Sequence, residues 1–225
     1  MANLNFEDDV DVEDDANYDD ITTPEEVLRN VTAMWQNELC APCLLPTQAE
    51  LVDILLDQIQ GMEESIGEQA DKTQLRISLH RMELMRISFL TSDYVRCRLQ
   101  KIESNPNDAI EQHKRRLEEN QSELLSESEL KFAEEYANAE AELFGKTILD
   151  SMPPGPLKKI SVPKPDYQDD MVYAKVLADN VENVVVPDWQ DLSSEVVLEM
   201  QKMSCHLLPF QSVKPFVEDG TVQLL

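Results

Sequence analysis

Basic residues are scarce in this chain: 19 Lys and Arg stand against 45 Asp and Glu, a formal net charge of −26 over 225 residues. A surface with that balance repels nucleic-acid phosphates, so direct sequence-specific DNA binding is not expected. Glycine is also rare, at 5 residues, and no P-loop, GxGxxG or GxSxG pattern occurs, which removes the common phosphate cradles and nucleophile elbows. The four cysteines, Cys40, Cys43, Cys97 and Cys205, are too few for a disulfide framework in a chain of this size. No apolar run approaches the roughly 18 residues of a membrane span, so no membrane partner is expected. The N-terminus, MANLNFEDDVDVEDD, lacks the basic and apolar regions of a signal peptide, so an intracellular location is expected.

What is present is enough for a core. Hydrophobic residues make up 42% of the sequence, and the length suits one or two domains. The charge is unevenly spread: residues 1–28 hold eleven Asp and Glu and no Lys or Arg, whereas 72–116 hold ten Lys and Arg against five acids. A run such as Glu7 to Asp20 has too little apolar surface to offset the entropy of ordering it. Phe6, Val10, Val12, Tyr18 and Ile21 interrupt the acids, which suits a segment that docks on an adaptor protein; a merely solvating tail fits the same composition.

Order is expected from Thr23. Thr23-Pro24-Glu25-Glu26 supplies a capping threonine, a first-turn proline and a glutamate three residues after the cap, and Val27, Leu28, Val31, Met34 and Trp35 recur at helical spacing. That helix should end before Pro42. Thr47-Gln48-Ala49-Glu50 opens a second, with Leu51, Leu55, Ile59, Met62 and Ile66 as its apolar stripe up to Gly67. A third should run from about Asp71 to Asn105-Pro106, then a polar stretch with Lys114-Arg115-Arg116, read as a solvated loop. A further helix should start at Ser126-Glu127-Ser128-Glu129 and reach about Asp150. Met152-Pro153-Pro154-Gly155-Pro156 cannot continue it. Beyond lie short runs of strand character: Ile160 to Val162, Met171 to Val176, Asn183 to Val186, Glu195 to Met200, Cys205 to Leu208 and Thr221 to Leu225. Residues 195–203 fit a short helix equally well. The expected organisation is mainly α: an acidic disordered tail (1–21), an α-helical bundle domain (22–151), a linker (152–165) and a small β-rich C-terminal domain (166–225). About 65 residues of small strands are marginal alone, so that domain should lean on other surfaces.

The third helix stands apart. From Leu75 to Ile102 it carries six basic residues, and its apolar positions point to every side of the cylinder. It is expected to be buried all round, with Arg76, Arg81, Arg86, Arg96 and Arg98 too dispersed for one basic stripe. Buried guanidinium groups need carboxylate or carbonyl partners, from the acidic remainder of the chain or from another subunit. These arginines and Tyr94 are therefore candidate subunit contacts. An arginine-rich core helix paired only within its own chain fits the spacing as well.

Signals of catalytic chemistry are weak. Cys40-Ala41-Pro42-Cys43 has redox or zinc spacing, but no second Cys/His pair lies nearby, and the C-terminal end of a helix raises a thiol pKa. A packing role is the plainer reading, so neither a metal nor another cofactor is expected. His80, His113 and His206 sit in separate elements without ligand spacing, as ordinary core or surface histidines do.

Several stretches, WQNELCAPCLL from Trp35, SLHRMELMRISFLTSDYVRCRLQKIE from Ser78, MPP from Met152, VPKPD from Val162 and GTVQLL from Gly220, resemble the Sld-five (subunit four) family of the GINS complex, collinearly from about Thr22 onward. The resemblance implies a helical domain followed by a small β-rich domain, assembled with three sister GINS subunits into a heterotetramer without a catalytic site of its own. It further implies a place in the nucleus, where GINS joins the MCM hexamer and a RecJ-like helicase co-activator as the replicative helicase. That engine is linked to the replicative polymerase and fork adaptor proteins. Val222, Leu224 and Leu225 of the terminal run then become candidate assembly residues. A free-standing acidic adaptor, or a histone-chaperone-like protein whose tail binds basic clients, is the alternative that composition leaves open.

Removing residues 1–20 is expected to spare assembly, which uses elements beginning near Thr23, and to weaken recruitment of a fork adaptor. Pull-downs with full-length and tail-less complexes should show adaptor binding that falls as the Debye length shrinks from about 10 Å to about 3 Å with added salt. Equal recoveries would reduce the tail to a solvating appendage.

Overall fold

The computed structural model describes residues 24–68, 75–151, 167, 170–178, 181, 183–187 and 195–225. The acidic tail with its five apolar residues, the Thr23 cap, the 152–165 linker and the Ile160–Val162 run lie outside the described residues. Five helices come first: α1 (Pro24–Cys40), α2 (Ala49–Glu68), α3 (Leu75–Ser104), α4 (Pro106–Glu118) and α5 (Glu127–Thr147), the last followed by a 3-10 turn at Leu149–Ser151. The C-terminal part contains β1 (Met171–Val176), β2 (Val184–Pro187), β3 (Glu195–Leu198), β4 (Cys205–Pro209), α6 (Phe210–Glu218) and β5 (Val222–Leu224). A helical bundle followed by a small strand-containing region is thus the architecture. No helix among the described residues is long and apolar enough to cross a membrane.

Two elements depart from the sequence reading. The polar stretch after Pro106 is the helix α4: the Asn105 side chain accepts from the Asp108 N–H at 3.2 Å, and proline fills the first turn, a start signal that charge and polarity mask. The second is α6, where Phe210, Val213 and Val217 are buried on one face; their spacing of three and four is helical. Residues 195–198 form a strand, paired antiparallel with β2, so the helical alternative for that segment does not hold.

The bundle has two apolar centres. Val31, Leu55 and Leu90 join α1, α2 and α3, and Leu44, Ile102, Ala109, Leu124, Leu125 and Ala133 join α3, α4 and α5. His113 of α4 is buried beside the second centre and its Nδ1 accepts the Leu125 N–H at 3.2 Å, a core histidine. The opening of α5 is a capping box: Ser126 Oγ accepts from the Glu129 N–H while the Glu129 carboxylate accepts from the Ser126 N–H.

In the C-terminal part β1 is central, antiparallel to β4 on one side and β5 on the other. Strand alternation turns Val172, Ala174, Val176, Leu208, Val222 and Leu224 inward, where α6 covers them. Gly220, at φ +72°, makes the left-handed turn from α6 into β5. The same core takes Ala41, Cys43 and Leu45 from the connection between α1 and α2, while the intervening Leu44 enters the bundle core. This strip, which bends at Pro42 and Cys43, sends alternate side chains into the two cores and is shared by both domains.

Leu224 is fully buried in this sheet, so Leu224→Ala is expected to cost about 2–5 kcal/mol, and deleting Thr221 to Leu225 to cost more, because the deletion also removes the pairing of β5 with β1. Chemical denaturation of the two variants checks this; wild-type midpoints would mean that β5 does not anchor the sheet.

Candidate functional site

The arginines of α3 divide into two groups. Arg98 is fully buried, and all five of its N–H donors are used. Nε and Nη2 form a fork on Glu129 at 2.7 and 2.9 Å, Nη1 reaches Glu38 at 3.1 Å and the Leu45 carbonyl at 2.7 Å, and Nη2 also reaches the Leu124 carbonyl at 2.7 Å. Burial works against the charge, but the Glu129 hydrogen bonds and the surrounding negative charge outweigh it and hold the guanidinium above its ordinary value. Lys101 adds a second cation, donating to Glu38 Oε1 at 2.7 Å and to the Cys43 carbonyl at 3.0 Å. Tyr94 lies one turn before Arg98, its ring 5.6 Å from the guanidinium carbon.

Arg98 and Tyr94 are therefore internal residues rather than surface contacts, and the partners of Arg98 come from its own chain. Val222 and Leu224 are corrected in the same way: at 1% and 0% exposure they hold the sheet together. Arg76, Arg81, Arg86, Arg96 and Leu225 are exposed. Arg86 pairs with Glu83 at 2.5 Å and Arg96 with Asp93 at 3.5 Å, both on the same helix. Asp93 also accepts the Trp35 indole N–H at 2.8 Å, tying α1 to α3.

Nor is α3 buried all round in this chain. Ile77, Leu84, Thr91, Tyr94, Arg98 and Ile102 are buried along one side, with Leu90 buried at its margin, whereas Leu75, Leu79, Met82, Met85 and Phe89 are 57–75% exposed. At 100° per residue the two sets lie on opposite sides of the cylinder. The apolar residues of α3 form an inward face plus an outward stripe, and the stripe carries Arg86 within it with Arg76 and Arg81 flanking it on either side. Monomeric proteins rarely leave so many neighbouring large apolar side chains in water.

The Cys40–Cys43 pair sits in the shared strip. Burial, more than anything else nearby, pushes both thiols up, opposed at Cys40 by the Lys101 ammonium and at Cys43 by Lys214 and then Lys101; desolvation thus leads where the sequence reading had placed the helix dipole. Cys97 is raised for the same reason, which leaves these thiols poor nucleophiles. Among the described residues no three His, Cys, Asp or Glu side chains are grouped to hold a metal ion. On α3 the exposed apolar stripe thus occupies the N-terminal half, and the buried ionic cluster around Arg98 and Lys101 the C-terminal half.

Two family models match the chain: "GINS complex protein helical bundle domain" over residues 53–148 and "DNA replication complex GINS protein SLD5 C-terminus" over 166–225. The chain belongs to the SLD5 family of GINS proteins. It is similar to the "DNA replication complex GINS protein SLD5" of Bos taurus, 39% identical over 210 residues, and to those of Homo sapiens, 37% over 210, and Mus musculus, 37% over 209; each match covers 91% of this chain and 92% of the relative. As a GINS subunit of the SLD5 type, the chain has its role in DNA replication. The match to the C-terminal model covers β1 to β5 with α6, and the match to the bundle model runs from α2 through α5.

Burial raises the Tyr94 hydroxyl, ordinarily near 10, to about 12, with Arg98 opposing the shift. The folded chain therefore holds a proton that the unfolded chain releases above pH 10. The associated stability is fully present below about pH 10 and is lost as the pH rises toward 12, an effect of about 2–3 kcal/mol. Tyr94→Phe should lack this component, so the stability difference between variant and parent should change across that window; a constant difference would contradict the assignment.

Proposed function

We propose that this chain is a non-catalytic structural subunit that assembles with three sister subunits into a GINS heterotetramer, using the outward stripe of α3 as a principal contact. The observation that carries this reading is the opposition of two apolar faces on one helix. One face is satisfied within the chain; the other, from Leu75 to Phe89, is exposed in it and is rimmed by Arg76 and Arg81. A complementary partner surface would be apolar at its centre and acidic at its edge, since arginine pairs well with carboxylates at interface rims. The named relatives, each a DNA replication complex GINS protein, support the assembly reading.

In this reading the tetramer joins an MCM hexamer and a RecJ-like co-activator to form the replicative helicase in the nucleus. It also connects that helicase to the replicative polymerase and to fork adaptors. The chain contributes shape and contacts, not a reacting group: its buried ions are engaged in holding the fold, and its buried thiols are held protonated.

The double variant Met82→Glu/Phe89→Glu tests this. Both side chains are exposed, so the helical content should be unchanged, while recovery of the sister subunits on co-expression should fall by about tenfold or more, as expected when charge is buried in an apolar contact. The unmodified chain expressed alone should aggregate, and co-expression with its sisters should rescue it. A monodisperse lone chain, or full sister recovery with the double variant, would overturn the reading.

A further inference from the structure

Three sets of contacts cross between the helical domain and the strand-containing domain, and each is specific. The first is apolar: Ala41, Cys43 and Leu45 complete a core otherwise built from β1, β2, β4, β5, α6 and Met200. The second is an ion pair between residues 102 apart in sequence, in which Arg116 of α4 forks onto Glu218 at the end of α6, at 3.0 and 2.8 Å. Arg116 is held for this by the Ser122 carbonyl and hydroxyl at 3.1 and 3.0 Å, and the pair is largely shielded, with side chains 12% and 21% exposed. The third lies along β5, an edge strand of its sheet. There the Leu224 N–H donates to Asn37 Oδ1 at 2.8 Å and the Gln223 amide to Gln36 Oε1 at 2.8 Å, so the end of α1 occupies the strand's free edge.

From these we infer that the C-terminal domain is clamped onto the helical domain of its own chain before any partner binds. The 41–45 strip and the Arg116–Glu218 pair fix its orientation, so the covalent connection through 152–166 is not needed to set it. Arg116 and Glu218 are positioning residues: they present the C-terminal sheet at one angle to α3. The strip is itself held from α3, since Arg98 and Lys101 bond the Leu45 and Cys43 carbonyls. A displacement of α3 would therefore be felt in the C-terminal core. The clamp concerns the single chain and does not depend on the assembly reading.

Cys43 reports the clamp directly, because it is 6% exposed in the shared core and separation of the domains would bare it. The measurement uses the full chain on a soluble fusion partner, with Cys40, Cys97 and Cys205 changed to Ser, and follows the labelling rate of Cys43 by a thiol reagent. Labelling should be slow in this parent, about tenfold faster in Glu218→Arg, and slow again in Arg116→Glu/Glu218→Arg, where the pair is rebuilt in reverse. In a second form of the parent, a protease site is inserted between Gly155 and Pro156. After cutting, the two pieces should still co-elute with Cys43 protected. Equal labelling in the parent and Glu218→Arg, a reversed pair that keeps its helical signal but leaves Cys43 reactive, or pieces that part on cutting would overturn the clamp. If Glu218→Arg loses its helical signal, recovery of both signal and protection in the reversed pair is the supporting result.

Discussion

The buried guanidinium of Arg98 is the constraint on which the rest of the bundle depends. An ion with no access to water is tolerable only if each of its donors is met, and the five acceptors come from four separate stretches of chain: α1, the strip before α2, the loop before α5 and the first turn of α5. None of the four can shift without orphaning a charge. Glu129 serves twice, since one of its oxygens also closes the capping box at Ser126; starting α5 and neutralising α3 are one event. Glu38 likewise meets both Arg98 and Lys101. Removing one member of such a cluster strands its partners, which is far more costly than the net worth of the cluster suggests.

From that node order passes in two directions. Downward, the carbonyls of Cys43 and Leu45 are gripped by α3, and their side chains enter the C-terminal core. The small β domain, too small to bury a sufficient core by itself, borrows three residues from the helical one. Outward, fixing the C-terminal half of α3 projects its N-terminal half with one apolar face satisfied and the other open. For the proposed contact through α3, a helix that is already rigid avoids the ordering cost that would subtract from the affinity. A helix pinned by a buried ion meets that condition.

The sequence resolves the helices where local chemistry decides them. Pro24, the cap before Ala49, the break at Pro106 and the Ser126 box each mark a boundary that the structure keeps within a few residues, because caps and prolines act through the nearest backbone groups. The strands from Met171, Val184, Glu195, Cys205 and Val222 follow from short β-branched runs. By contrast α4 was hidden by its polarity and α6 by Pro209 at its start and Pro215 within it, though the Asn105 cap and the spacing of Phe210, Val213 and Val217 were there to be read. The candidate contacts separated only in three dimensions. Arg86 and Arg98 are alike in the sequence, twelve residues apart on one helix, yet one is exposed and the other has no contact with solvent.

Local periodicity and capping, with a composition poor in basic residues and glycine, thus determined a helical chain with a small β region and no phosphate-binding motif, and the motif pattern pointed to its family. Those are properties of neighbours in sequence, and side-chain spacing alone carries them. Which face of α3 looks inward, which arginine is buried, and that Ala41, Cys43 and Leu45 belong to a core more than 120 residues downstream, were decided by tertiary structure. The reason is that burial and ion pairing depend on groups that meet only when the chain has closed: Glu38 and Glu129 are 91 residues apart, and nothing local to either marks it as the partner of Arg98.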